Sequence, residues 1–72
     1  MLPGEVDGAR FVRALARFGW RTASQRGSHL KIVHPNRPGF VVVAFHGTIR
    51  RPAMRKTLAR MGIDEDEFLK QL

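Results

Sequence analysis

The sequence contains no cysteine and no apolar run close to the roughly 18 residues of a membrane-spanning helix. Without cysteine the chain has neither a disulfide framework nor a cysteine-based zinc site, and this usage suits a reducing cytoplasm. The opening MLPGEVDG also lacks the apolar region of a secretory signal. Because 72 residues are enough for one domain at most, we expect a single cytoplasmic domain over residues 1–72, with no membrane segment.

Acidic residues are absent from most of the chain. No Asp or Glu occurs between residues 8 and 63, whereas only Lys70 of the 13 Lys and Arg residues lies outside that range. A folded body with this charge repels itself unless a polyanion lies nearby, so we predict that the partner is a nucleic acid. A basic surface that serves solubility alone is the alternative, although scattered acids would normally accompany it.

The missing carboxylates exclude several kinds of catalysis. Two-metal nucleases hold their ions with carboxylates, and Ser-His-Asp hydrolases and glycosidases need carboxylates as well. No phosphate-binding loop or GxGxxG pattern occurs, so we expect no metal and no cofactor. The groups that remain for proton transfer near neutral pH are the histidines His29, His34 and His46.

RNA cleavage requires few protein groups, because RNA carries its own nucleophile. The 2′-hydroxyl lies next to the scissile phosphate, so a protein needs to position the backbone, stabilise charge on the phosphoryl oxygens and move a proton. DNA lacks this hydroxyl. A basic protein that uses histidine without a metal therefore fits RNA better than DNA.

Apolar periodicity predicts two main helices and a short terminal one. GARFVRALARFGW has helical spacing, with Asp7 as a candidate N-cap and Gly19 as a stop signal. A second helix opens at Pro52 and closes at Gly62. Asp64, with a glutamate three residues later, resembles the capping box that starts a helix.

Three strands are predicted between the main helices. WRTASQRG alternates weakly and is an edge-strand candidate, HLKIVH has Leu30 and Ile32 on one face, and FVVVAF has strong β-propensity. PNRPG is a turn signal, and HGTIRR is interpreted as a loop. The order α-β-β-β-α, followed by a short helix, predicts an α+β fold with both main helices on one face of a three-stranded antiparallel sheet. This is the arrangement of the double-stranded-RNA-binding domain.

His29 has the most suggestive surroundings of the three histidines. Gly27 lets a backbone approach closely, Ser28 offers a hydroxyl group, and Arg26 and Lys31 flank the histidine with positive charge. A surface histidine beside an ordinary Gly-Ser bend fits this spacing as well as a reactive histidine does.

The other two histidines have weaker signals. His34 precedes a proline at the hairpin turn and is expected to be structural or solvent-exposed. The hairpin brings His46 near His29, but a one-residue slip in register decides whether they share a face and can form an acid–base pair. If they do not share a face, His46 is a loop residue. Two histidines without a carboxylate or cysteine partner make a poor metal site.

Several motifs occur in a defined order from about residue 8 to residue 72. They are a helix ending in RFGW, then SQRGSHLKIVHP, then FVVVAFH, and then RPAMRKTLARMGIDEDEFLKQL. The ordered set, with its central Gly-Ser-His step, resembles the HicA (YcfA-like) mRNA interferase toxins of prokaryotic toxin–antitoxin systems. Three places depart from that family: Ser24 stands where arginine is usual, Ala44 stands where proline is common, and Pro52-Ala53-Met54-Arg55, preceded by Arg51, stands where Pro-Gly-Thr-Leu-Arg usually starts the second helix.

The resemblance implies a double-stranded-RNA-binding-like fold, ribonuclease activity on mRNA and a catalytic role for His29. It also implies a HicB-like antitoxin that binds the toxin and masks the catalytic region. His46 is a candidate second histidine of the site. The candidate RNA contacts are basic and turn residues near His29 and at the start of the second helix: Arg26, Gly27, Ser28, Lys31, Arg50 and Arg51.

The leading hypothesis is thus a metal-independent endoribonuclease toxin with His29 as general acid or base. The alternative from another class is a non-catalytic module that binds double-stranded RNA by its shape. A DNA-binding regulator is disfavoured, because a hairpin separates the main helices and leaves no helix-turn-helix spacing.

Overall fold

The computed structural model describes residues 1–72, which form two antiparallel sheets and three helices. The elements are β1 Glu5–Asp7, α1 Gly8–Ala16, β2 Arg21–Arg26, β3 His29–His34, β4 Arg37–Ala44, β5 Thr48–Arg50, α2 Arg51–Met61 and α3 Glu65–Leu69. The larger sheet has the strand order β2-β3-β4, and β1 pairs with β5 in the smaller one. The predicted α+β fold, with a three-stranded antiparallel sheet between the main helices, is confirmed.

The helix ends follow the local signals in the sequence. The Asp7 side chain accepts a hydrogen bond from the Arg10 N–H at 3.3 Å and so caps α1, a contact worth about 1 kcal/mol. Gly62 ends α2 with φ of 71°, a left-handed conformation that favours glycine. The Asp64 side chain accepts from the Glu67 N–H at 3.1 Å at the start of α3. All three caps were predicted from the sequence.

One apolar core joins both sheets and all three helices. Phe11 of α1 and Phe68 of α3 lie with ring centroids 5.3 Å apart, so the terminal helix closes over the first one. The buried apolar side chains come from every element except β2: Leu2, Val6, Phe11, Ala14, Leu15, Trp20, Leu30, Ile32, Val41, Val43, Ile49, Met54, Leu58, Met61 and Phe68. Because no polar or charged side chain is buried, hydrophobic burial dominates the stability.

The larger sheet has one covered face and one exposed face. Leu30 and Ile32 of β3 are buried, as are their β4 partners Val43 and Val41. Residues directly opposite each other in antiparallel strands point to the same side, so the alternate set points away from the core. We call this second side the open face; it carries Ser24, Arg26, His29, Lys31, Phe40, Val42 and Ala44.

The segment HGTIRR, predicted as a loop, contains a strand. Thr48–Arg50 form β5, which pairs antiparallel with Glu5–Asp7. Val6 and Ile49 lie opposite each other in this pair and both are buried. A strand of three residues is too short for alternation to be read from the sequence, and its partner lies more than 40 residues away. The α2 helix therefore begins at Arg51, directly after β5.

The predicted PNRPG turn is shorter than expected. The turn consists of Pro35 and Asn36, and β4 begins at Arg37 and runs through Pro38 and Gly39. The pairing of β3 with β4 shifts register between Ile32 and His34. Since proline donates no ladder hydrogen bond, strands accommodate it at such irregularities. Gly39, with φ of 80°, supplies the left-handed conformation there.

Candidate functional site

The Gly-Ser step of the central motif is a two-residue hairpin turn between β2 and β3. Arg26 pairs with His29 across the turn. Gly27 has φ of 60° whereas Ser28 has a negative φ, which is the sign pattern of a type II′ turn. The Gln25 side chain donates to the Gly27 carbonyl at 3.0 Å and closes the turn. The motif thereby fixes His29 as the first residue of the central strand.

His29 is exposed on the open face, and its ring forms no hydrogen bond with the protein. Its backbone lies between Arg26 on one neighbouring strand and Ala44 on the other. The Phe45 N–H donates to the Ser28 carbonyl at 3.0 Å and extends the pairing of β3 and β4 past the turn. The backbone at His29 is therefore held from both sides, while both ring nitrogens lack a hydrogen-bond partner in the protein.

A shallow hollow surrounds the His29 side chain. Its volume of about 510 Å³ falls within the range of small-ligand sites. It is lined by Ser24, Gln25, Arg26, His29, Leu30, Lys31 and Val42. The lining contains two cationic groups, one imidazole and no carboxylate, so it favours an anion such as a phosphodiester.

Lys31 also contacts the exposed aromatic ring of the open face. Its ammonium nitrogen lies 4.4 Å from the centroid of the Phe40 ring, a cation–π contact worth about 0.5–1 kcal/mol at an exposed site. Phe40 is 57% exposed and Val42 is 53% exposed. Cationic groups next to exposed aromatic rings are typical of surfaces that hold single-stranded nucleic acid.

Arg50 and Arg51 lie at the junction of β5 and α2, outside the His29 hollow. Arg51 Nε donates to the Leu2 carbonyl at 2.9 Å, so this side chain holds the N-terminal segment against α2. Arg50 is exposed and lines a second hollow on the outer side of β4. Neither arginine lines the His29 hollow, whereas Arg26 and Lys31 both do.

The two remaining histidines do not line the His29 hollow. His34 is structural: its Nδ1 accepts from the Asn36 N–H at 3.0 Å, so its Nε2–H donates to the Phe18 carbonyl at 3.0 Å. The exposed His46 packs against Phe45, with ring centroids 4.3 Å apart. The register places Ala44, and not His46, directly opposite His29.

Sequence reasoning did not assign Ser24, Gln25, Val42 or Phe40 to the site. The signal for Ser24 was present, because a two-residue turn at Gly27 pairs Arg26 with His29 and then brings Ser24 opposite Lys31. The register set by the turn holds as far as Ser24 and shifts only beyond it, between Ser24 and Thr22. Val42 and Phe40 could be placed only once the register of β4 was known.

A family model described as the HicA toxin of bacterial toxin–antitoxin systems matches residues 8–63. The chain belongs to the HicA toxin family. This match confirms the family resemblance predicted from the motifs. The matched segment contains every residue that lines the His29 hollow. Membership implies a toxin role and a cognate antitoxin. No curated protein and no solved structure matches the chain significantly.

Two further features of the fold bear on partners and ligands. None of the helices combines the length and apolar character that crossing a membrane requires. No three His, Asp or Glu side chains lie together within reach of one metal ion.

Proposed function

We propose that this HicA family member is an endoribonuclease that cleaves mRNA with His29 as general acid or base and without a resident metal ion. The observation that carries the proposal is the composition of the His29 hollow, which has Arg26 and Lys31 beside the imidazole and no carboxylate. Hard metal ions prefer oxygen ligands, and this lining offers only hydroxyl, amide and main-chain oxygens for that purpose.

The reaction would use the 2′-hydroxyl of the RNA as nucleophile. Its oxygen attacks the adjacent phosphorus, the bond to the 5′-oxygen of the next nucleotide breaks, and the products are a 2′,3′-cyclic phosphate and a 5′-hydroxyl. One proton leaves the 2′-oxygen and one reaches the 5′-oxygen. His29 would transfer one of these protons, and Arg26 and Lys31 would stabilise the negative charge that develops on the phosphoryl oxygens.

The other predicted RNA contacts take supporting roles in this proposal. At the hairpin turn, the Ser28 hydroxyl and the main chain at Gly27 would contact the RNA backbone beside the scissile phosphate. Arg50 would bind a phosphate farther along the strand, since it is exposed across β4 from the hollow. The Nη groups of Arg51 form no hydrogen bond with the protein and would also bind a phosphate of the RNA.

The cognate antitoxin is proposed to be HicB-like and to cover the open face. An exposed face that combines cations with the apolar side chains of Phe40 and Val42 is suited to a protein partner as well as to RNA. Covering this face would close the His29 hollow to RNA.

Cleavage of RNA by the purified protein in EDTA tests the proposed catalysis. We expect wild-type protein to cleave, and His29→Ala to lose at least 100-fold in rate, which is the usual contribution of a general acid or base. His46→Ala is the matched control, because it removes another exposed imidazole outside the hollow. Full activity of His29→Ala would refute the role of His29, and loss of wild-type activity in EDTA would refute metal independence.

A second candidate function is a non-catalytic module that binds double-stranded RNA. It is favoured by one observation: the hollow contains a single imidazole, whereas cleavage moves two protons. In an enzyme, Lys31 or a water molecule would have to transfer the second proton. Salt-dependent RNA binding without any cleavage by wild-type protein would favour this module.

A further inference from the structure

The outer edge of β4 is an unpaired strand edge. β4 is the last strand of the larger sheet and has β3 as its only neighbour. Hydrogen bonding alternates along an antiparallel strand. The Phe45 N–H donates to the Ser28 carbonyl, so the main-chain groups of Val43 also face β3, and those of Val42 and Ala44 point outward. Neither of these two residues has another hydrogen-bond partner for its main chain.

The composition of this strand makes the free edge unusual. The only charge and the only proline of β4 lie at its start, Arg37 and Pro38, and residues 39–45, GFVVVAF, contain neither. Exposed edge strands are normally protected by charged side chains, proline or a covering segment, because an apolar edge of this kind pairs with other chains. The edge of β4 thus has the properties of a surface that another chain covers when the protein functions.

A groove runs along this edge between β4 and α2. Two adjoining hollows of about 230 and 250 Å³ share Val42, Ala53 and Thr57 in their linings. We call them together the edge groove. Its charged side chains are Arg50, Lys56 and Arg60, and no acid lines it. Glu5 lies opposite Arg50 in the β1–β5 pair, but the two form no ion pair.

Charge decides which occupant fits the edge groove. A second copy of the chain would bring another net charge of +7 and the same three cations to the edge, so like charges would oppose self-pairing. An extended segment with acidic side chains would instead place carboxylates near Lys56 and Arg60, which lie one helical turn apart on α2.

We propose that the outer edge of β4 accepts an extended, acidic segment of a partner protein as a fourth strand of the sheet. Main-chain hydrogen bonds to Val42 and Ala44 would supply affinity, and Lys56 and Arg60 would select acidic side chains. Because Val42 lines both the edge groove and the His29 hollow, an added strand would lie beside the RNA site. The inference rests on the proposed function only for the existence of a protein partner, and not on the cleavage chemistry.

Binding of a fluorescent peptide of alternating glutamate and valine, measured by anisotropy, tests this inference. Ala44→Pro removes one outward N–H while leaving the hydrogen bonds of Val43 and Phe45 to β3 in place. We expect it to weaken binding at least tenfold. A peptide that carries N-methyl groups on alternate residues lacks the matching donors and should not bind, which tests main-chain pairing without altering the protein.

The charge selection has its own matched pair of variants. Lys56→Glu with Arg60→Glu should weaken binding of the acidic peptide at least tenfold. Arg13→Glu with Arg17→Glu makes the same change in net charge on an exposed part of the chain outside the groove, and should leave affinity within twofold. A lysine–valine peptide should show the opposite preference among the variants.

Three results would overturn the inference. One is equal binding of the N-methylated and unmodified peptides. Another is a dimer in sedimentation experiments that Ala44→Pro dissociates, because a second copy would then occupy the edge. The third is a failure of the wild-type protein to bind the acidic peptide, together with a lower affinity for duplex RNA in the Lys56→Glu/Arg60→Glu variant than in the wild type. None of these results depends on RNA cleavage, so the failure of this inference is distinct from the failure of the proposed catalysis.

Discussion

At the scale of single residues, the backbone conformation of Gly27 sets the direction in which His29 leaves the hairpin. The turn has two residues, so a change in either dihedral angle at Gly27 rotates the strand that starts with His29. A Cβ at Gly27 would have no atom within 4 Å. The requirement for glycine is therefore conformational in the free protein, and it arises from the φ of 60°.

Gly27→Ala is expected to lower the free energy of unfolding by about 1–2 kcal/mol, because an L-residue is strained at this φ. RNA cleavage should fall as well, since the turn holds His29. Denaturant unfolding and cleavage rates measure the two effects. A semi-synthetic protein with D-alanine at position 27 is the control, because a D-residue favours positive φ. A loss of stability as large as that of the L-alanine variant would contradict the conformational explanation.

At the scale of elements, the smaller sheet is held against the larger one through the start of α1. The Gly8 N–H donates to the Gly47 carbonyl at 2.8 Å and the Arg51 N–H donates to the Gly4 carbonyl at 2.9 Å, so the β1–β5 pairing extends one residue beyond the strands at each end and includes the first residue of α1. Gly8 is buried, and its Cα faces the backbone of Phe45 so closely that a Cβ there would overlap the Phe45 carbonyl. This contact fixes the position of Phe45, the first residue after β4, against the start of α1.

Gly8→Ala is expected to destabilise the fold by about 1–3 kcal/mol, the usual cost of overpacking. Alanine is a better helix former than glycine by about 1 kcal/mol, but the overlap is with main-chain atoms that cannot move freely, so the steric cost should dominate. Denaturant unfolding measures the change. Gly4→Ala is the matched control, because a Cβ at Gly4 meets nothing within 4 Å. Equal effects of the two substitutions would contradict this explanation.

The elements also mark the limit of what the sequence could predict. The caps at Asp7 and Gly62 are local signals, and so is the spacing that places Leu30 and Ile32 on the same face of β3. The structure confirms all of them. The pairing of β1 with β5 is a long-range contact between strands of three residues, which leave no periodic pattern. Most of the His29 hollow follows from the two-residue turn at Gly27, but the place of Val42 depends on the β3–β4 register, which is not encoded in a short window.

At the scale of the whole molecule, part of the positive charge is engaged with the protein itself. Arg10 donates to the Leu72 carbonyl at 2.9 Å, Arg37 donates to the Met61 carbonyl, and Arg55 forms an ion pair with Glu65 at 3.3 Å. Arg26 makes no such contact and lines the His29 hollow. The net charge therefore overstates the number of groups that are free for phosphates.

The salt dependence of RNA binding should identify the free cations. For a single-stranded oligonucleotide that is 2′-O-methylated and so cannot be cleaved, each lost phosphate contact should reduce the slope of log K against log salt by about 0.7. We expect this reduction for Arg26→Gln and no change for Arg13→Gln, whose side chain is exposed outside the hollow. Titrations at several salt concentrations measure the slopes. Equal slopes for both variants would show that Arg26 does not bind a phosphate.

The buried N-terminal segment bears on where this chain can be cut. Leu2 and Val6 precede residue 8, and Phe68 follows residue 63, yet Leu2 and Phe68 are fully buried and Val6 is 5% exposed. Burial of each such side chain is worth about 1.5–3 kcal/mol, and whole domains are stable by only roughly 5–15 kcal/mol. A fragment trimmed to the segment that matches the family would thus lose most of its margin against unfolding. For protein production or domain fusion, the physical unit is wider at both ends than the unit that sequence comparison recognises.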